Sequence, residues 1–331
     1  MNDRIDFQLY RGDGTTIAAR GLRVPPFQRI TSLDDPAHYL AEQGLRDAVN
    51  VALTLGQPLL VTGEPGTGKT QLAGSIAYEL ALPAPLRFQT KTTSNAKDLF
   101  YRYDALGHFH DAQFQKEESL VQNYITYEAL GLAILLSMNP AEANSSLPAP
   151  MRDKGPIRSV VLIDEIDKAP RDLSNDVLNE IETMSFTVTE TGTTFSADQS
   201  YRPILVLTSN SEKNLPDAFL RRCVFYHISF PQRERLTEIV QGRLRFNSDF
   251  TPQMVDHAIR HFEEIRELAL KKKPATAEFL AWMRILEKMN IDVNNLKPGE
   301  VEALAFSYSI LAKSNEDKEV LHRTFIERHD G

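Results

Sequence analysis

The chain has 331 residues, of which 42% are hydrophobic and 25% charged, a globular composition sized for about two domains that excludes disulfide miniproteins, disordered chains and coiled coils. Lys and Arg contribute 37 positive side chains against 45 Asp and Glu, a net charge of −8, so a DNA-coating role driven by phosphate neutralisation is disfavoured, although a local basic strip remains compatible. The longest strongly apolar stretch, Ala129 to Met138, falls short of the roughly 20 residues that cross a bilayer. The N-terminus lacks the basic head and apolar run of a secretory signal, and a lone cysteine, Cys223, makes no internal disulfide. These features predict a cytoplasmic protein with no membrane partner.

Residues 1–36 mix Gly, Pro and polar residues without sustained periodicity and predict an extended arm. Helical spacing follows in Tyr39, Leu40, Leu45, Ala48, Val49, Ala52 and Leu53, until Gly56 and Pro58 stop it. Leu59–Thr62 then reads as a short buried strand. Four more apolar runs between breakers, over 86–90, 159–164, 203–209 and 223–230, read as buried parallel strands with helical patterns between them. That alternation predicts an α/β domain on a five-stranded parallel sheet over residues 37–230. An insertion occupies about 108–156, and its stretch 139–156, rich in Pro, Ala, Ser and Asn, predicts an exposed loop. After Pro231 only helical periodicity continues, through 233–246, 252–270, 275–289 and 298–311, predicting a small all-helical domain over 231–331.

Four patterns carry chemistry. Gly63-Glu64-Pro65-Gly66-Thr67-Gly68-Lys69-Thr70 fits Gly-x-x-x-x-Gly-Lys-[Ser/Thr] between a strand and a helical run beginning at Gln71. Its glycines let successive backbone N–H groups turn toward phosphate oxygens, and the helix start adds its dipole. Lys69 would reach the β/γ-phosphates and Thr70 would hold Mg²⁺; the bland alternative is an ordinary glycine-rich turn. Val160–Ile163 ends in Asp164 and Glu165, acids presented where open α/β sheets bind ligands. There Asp164 would anchor Mg²⁺ and Glu165 would polarise an attacking water, a solvated strand end being the alternative.

Leu205–Ser209 is a further strand, followed by Asn210, a candidate for fixing that water or sensing the γ-phosphate, or simply a turn former. The run 215–222 ends in Arg221 and Arg222. A guanidinium supplied in trans stabilises charge on a transferring phosphoryl group, whereas balancing the helix C-terminus is the plainer role.

Other features take structural readings. His108, His110 and Asp111 lack the further ligands a zinc site needs. No Gly-x-Ser-x-Gly elbow occurs, and Cys223 sits in an apolar strand. Phe88, Phe225 and Phe230 read as core, and Lys271–Lys273 as a solvated helix end.

Taken in order, the loop at 63–70, the acidic strand end at 160–165, Asn210, the arginine pair and the helical C-terminal part resemble an AAA+ ATPase. Asp164-Glu165-Ile166-Asp167-Lys168-Ala169 with the helix 174–184 is similar, more narrowly, to the MoxR branch and its dynein-related relatives. The hairpin 186–195 resembles that clade's pre-sensor-1 hairpin, and 98–104 falls where the clade carries its helix-2 insert. The similarity covers about 37–290.

The resemblance implies ATP held by Gly63, Glu64, Pro65, Gly66, Thr67, Gly68, Lys69, Thr70 and Gln71, with Mg²⁺ at Thr70 and Asp164. Glu165 and Asn210 would serve hydrolysis together with Arg222 or Arg221 of a neighbouring copy, in a homo-oligomeric, hexameric ring. Pore loops would come from the insert and the hairpin. The implied activity is chaperone-like remodelling of a protein client, often beside a partner with a von Willebrand factor A domain. Two departures stand out: Pro274 is followed by Ala275-Thr276 where the family carries a sensor-2 Arg, leaving Lys272 or Lys273 as substitutes, and the gap from Lys69 to Asp164 is long.

Alternative readings are a P-loop kinase acting on a small molecule, a nucleotide-dependent switch or scaffold, and a nucleic-acid motor using Lys91 and Lys97. GTP is disfavoured by the lack of an Asn-Lys-x-Asp motif.

Overall fold

The computed structural model describes residues 10, 12–16, 18–21, 23, 35–113, 120–211, 215–244 and 246–327. Most of the arm expected over 1–36 lies outside them. Two compact units divide the chain: Tyr39–Ser229, and the described parts of Met1–His38 together with Phe230–Gly331.

In the first unit, α1 (Gln43–Leu55) ends at Gly56, whose φ of 63° is the left-handed stop that glycine adopts without strain. Then follow β1 (Leu59–Gly63), α2 (Lys69–Glu79), β2 (Leu86–Gln89), β3 (Tyr101–Tyr103), α3 (Ala105–Gln113), β4 (Ile125–Tyr127), α4 (Ala129–Ser137) and α5 (Pro140–Ala143). The chain continues through β5 (Val160–Asp164), α6 (Arg171–Asp176), α7 (Leu178–Thr183), β6 (Ser185–Val188), β7 (Thr193–Ser196), β8 (Ile204–Ser209), α8 (Asp217–Leu220) and β9 (Val224–Ile228). A five-stranded sheet has the order β2-β5-β8-β1-β9, and every pairing in it is parallel.

Strand alternation sorts the side chains onto two covered faces. Leu60, Val161, Ile163, Leu205 and Leu207 enter one apolar cluster with α4, whereas Leu59, Val61, Val160, Leu162 and Val206 meet Leu72, Ala73, Ile76 and Ala77 of α2. Phe88 is buried as expected, but Phe225 is 47% exposed. It stands on β9, the edge strand, where the apolar layer ends.

The described residues of the insertion, 108–113 and 120–156, hold more regular structure than an exposed loop. β3 and β4 pair antiparallel around α3, with Tyr101 opposite Tyr127, and α4 follows as a core helix with Leu130, Ala133, Ile134 and Leu135 fully buried. Gly131 is required in it, because a Cβ there would collide with the Phe100 carbonyl. The stretch 139–156, expected as an exposed loop, contains α5 and a 3-10 turn at Ala149–Met151. It also buries Ala143 and Leu147; its turn-forming residues cap short helices and leave these two apolar anchors to pack. The helix expected over 174–184 is two, α6 and α7, meeting at Val177. The hairpin β6–β7 pairs Phe186 with Phe195, and Phe186 stacks on Phe100 with ring centroids 5.1 Å apart.

The second unit holds α9 (Arg233–Arg243), α10 (Pro252–Glu267), α11 (Thr276–Met289), α12 (Glu300–Ser307) and α13 (Asn315–Leu321), followed by a π-helical turn at His322–Ile326. Its core gathers Phe262, Phe279, Trp282 and Tyr308. The polar ends of these rings are partnered, as burial requires: Trp282 Nε1 donates to Ser307 Oγ at 2.8 Å and His261 Nε2 lies 2.7 Å from Tyr308 Oη. Among the described residues no helix is long and apolar enough to cross a membrane.

Candidate functional site

β5 pairs with β8 and β8 with β1, all parallel, so Gly63, Asp164 and Ser209 lie together at the carboxyl end of the sheet. The turn from β1 into α2 needs its glycines: Gly63, Gly66 and Gly68 have φ of 148°, 78° and 90°, values L side chains rarely adopt. A Cβ on Gly63 would also lie 2.5 Å from the Ile228 carbonyl oxygen. α2 begins at Lys69 directly after Gly68, so first-turn N–H groups that no helix satisfies internally face the loop.

Lys69 is only 7% exposed. Its Nζ donates to Gly63 O at 2.7 Å and Glu64 O at 2.9 Å, folding the ammonium back onto its own loop. Burial pushes its pKa down, against the pull of Asp164, Asp167, Glu165 and Glu64. A desolvated cation held by neutral carbonyls is a stronger partner for an anion than for the groups it touches now.

Thr70 Oγ1 donates to Asp164 Oδ1 at 3.1 Å and lies 3.3 Å from Oδ2. Thr208 Oγ1, from β8, donates to the same Oδ1. A carboxylate and a hydroxyl side by side form the hard oxygen donor set that suits Mg²⁺. Glu165, the next residue, has φ 57° and ψ 50°, a left-handed conformation that costs a non-glycine residue roughly 1–2 kcal/mol. Its N–H donates to Thr208 Oγ1 at 2.9 Å. Its Oε2 accepts from Gln89 Nε2 at 2.7 Å and from Lys168 Nζ at 2.6 Å.

The other expected residues fall in two places. Asn210 is exposed and its N–H donates to Asp167 Oδ1 at 3.3 Å, which keeps it beside the turn that follows Glu165. Arg222 donates to Glu182 Oε2 and to the Ala218 carbonyl, each at 3.2 Å, and Arg221 is exposed at the end of α8; neither donates to the strand-end cluster. His108 contacts Tyr103 Oη at 2.5 Å, and Tyr124 Oη donates to Asp111 at 2.9 Å. Among the described residues no group of three or more His, Cys, Asp or Glu is arranged to hold a metal.

The sequence assigns no site role to Gln89, Lys168 or Thr208. Thr208 carries a faint signal, a hydroxyl two positions beyond Val206 on a strand that is apolar up to it. Gln89 carries none, because only its pairing with Asp164 in the sheet brings it to the site.

The family model described as AAA domain (dynein-related subfamily) matches residues 58–223. No curated protein matches the chain. Among solved structures, the chain is similar to one described as "Crystal structure of FIGL-1 AAA domain in complex with ADP", with 16% identity and a TM-score of 0.42, covering 86% of this chain and 88% of that one.

Proposed function

The chain belongs to the dynein-related subfamily of AAA domains, nucleotide-binding ATPase domains as a class, and from that premise we propose that it hydrolyses ATP in a homo-oligomeric, hexameric ring of MoxR type. The observation that carries the reading is the meeting of Lys69, Thr70 and Asp164 at the carboxyl end of the sheet, with Glu165 adjacent.

Gly63 to Gln71 wrap the triphosphate, the loop amides and the Lys69 ammonium meeting its oxygens. Thr70 and Asp164 would hold Mg²⁺, which neutralises phosphate charge when bound. Glu165 orients the attacking water and takes its proton as the water oxygen bonds to the γ-phosphorus and the bond to the bridging oxygen of ADP breaks. Asn210, held beside the 166–168 turn by its N–H bond to Asp167, fixes that water or senses the γ-phosphate. Arg222 or Arg221 reaches a neighbouring copy's site, where a guanidinium stabilises transition-state charge.

In this reading ATP turnover drives remodelling of a protein client, with a von Willebrand factor A domain protein as a partner and the cytoplasm as the compartment. Mutual dependence of the subunits makes specific activity depend on assembly. ATPase rate and mass, read across protein concentration with ATP and Mg²⁺, test it. Specific activity that climbs as hexamers form supports the ring; concentration-independent turnover by a monomer rejects it, and γ-phosphate transfer to a small molecule would establish the kinase alternative.

A further inference from the structure

Along β8, alternation carries Leu205 and Leu207 to one face, with Val161 and Ile163, and Val206 to the other, with Leu162 and the α2 side chains. Thr208 is next on the α2 face and is 1% exposed. Valine would satisfy such a position by shape and propensity, so the hydroxyl is the feature to explain, since a buried polar group costs stability unless it is bonded.

Its bonds have a fixed polarity. The Glu165 amide can only donate, so Thr208 Oγ1 accepts from it at 2.9 Å. The one hydroxyl proton is then directed to Asp164 Oδ1. A charged acceptor at the end of the chain polarises both bonds. One hydroxyl on a central strand therefore ties the carboxylate of Asp164 to the backbone of Glu165, the residue held at φ 57°. A left-handed residue directly after a strand leaves that strand's alternation, and here Glu165 turns its carboxylate to Gln89 and Lys168.

We infer that Thr208 is a positioning residue for hydrolysis: by bridging Asp164 and the Glu165 amide, it fixes the backbone turn that aims the Glu165 carboxylate. The inference rests on the reading of Glu165 as the residue that activates water. Thr208 itself touches neither water nor nucleotide in this role, so its removal separates turnover from binding.

Wild type, Thr208→Val, Thr208→Ser and Glu165→Gln are compared as full-length chains for ATP affinity, kcat and KM, thermal unfolding, and amide exchange at Glu165 without nucleotide. Thr208→Val lowers kcat about 10- to 100-fold, the effect of misplacing a reacting group, with KM and ATP affinity within about threefold. Thr208→Ser keeps the hydroxyl and stays within about threefold of wild type in kcat. The Glu165 amide exchanges faster in Thr208→Val and at the wild-type rate in Thr208→Ser, because a lost hydrogen bond opens that amide.

Wild-type kcat in Thr208→Val while Glu165→Gln is inactive overturns the inference alone. Loss of kcat in Thr208→Ser equal to that in Thr208→Val also overturns it, by showing a packing role. If Glu165→Gln turns over like wild type, the reading of Glu165 fails, and amide exchange then decides the bridge: unchanged exchange in Thr208→Val rejects it. Should Thr208→Val not fold, Thr208→Cys, whose thiol is a weak donor of similar size, takes its place; an intermediate kcat supports the bridge and a wild-type kcat refutes it.

Discussion

Two glutamates, Glu165 and Glu190, are each gripped by a lysine together with one or two further donors, and they differ in what is left over. Glu190, at the tip of the β6–β7 hairpin, has both oxygens engaged: Lys97 Nζ meets Oε1 at 2.5 Å, while Tyr101 and Thr189 hydroxyls meet Oε2 at 2.8 and 3.2 Å. Glu165 takes both of its donors, Gln89 and Lys168, on Oε2. The first arrangement saturates a carboxylate and fastens a hairpin to β3; the second restrains a carboxylate while leaving an oxygen for another task. Burial and strain differ too: the Glu190 side chain is 17% exposed and that of Glu165 29%, and of the two only Glu165 has a left-handed backbone.

Breaking the strand-end site has the largest expected effect. Lys69→Ala removes the buried ammonium, and ATP affinity falls about 100-fold or more, as loss of a charge-assisted phosphate contact predicts. Fluorescent-nucleotide titration reads it. The nucleotide-free chain stays folded, because Lys69 now bonds only its own loop.

Breaking the hairpin site acts on stability instead. Burial alone would raise the Glu190 pKa, but hydrogen bonds from Lys97 and Tyr101 outweigh it and hold the carboxyl at about 2, below its ordinary 4.5. A depressed carboxyl stabilises the fold above its unfolded pKa, and that contribution fades as pH falls from about 4.5 through about 2. Glu190→Gln therefore costs about 1–2 kcal/mol near neutrality, the gap to wild type narrowing on acidification, with ATP affinity unchanged. Chemical denaturation across pH measures it; a gap that widens in acid contradicts the assignment. Lys168→Met should shift the melting temperature least, because the Lys168–Glu165 pair is 50% and 29% exposed and exposed pairs add little to stability.

The sequence makes contiguous signals legible and leaves cross-strand ones hidden. Five runs between breakers locate the parallel strands to within a residue or two: burial on both faces makes the central strands β1, β5 and β8 nearly continuous in apolar residues, whereas the edge strands β2 and β9 alternate more and less buried positions. The loop at 63–70 is readable for the same reason, all its parts being neighbours in the chain. Gln89 and Glu165 meet across 76 residues, and Thr208 and Glu165 across 43; only register brings them together. Three-residue strands such as β3 and β4 are too short to show a period. Phe225 reads as core in the sequence but stands exposed, because nothing in the local sequence marks β9 as an edge strand.

The proposed role of Glu165, activation of water for ATP hydrolysis at the carboxyl end of the sheet, is tested by ATP affinity and turnover of wild type beside Glu165→Gln. The expected result is affinity within about threefold of wild type and turnover lower by about 100-fold or more, the scale of a lost general base. Equal turnover in the two proteins would contradict it.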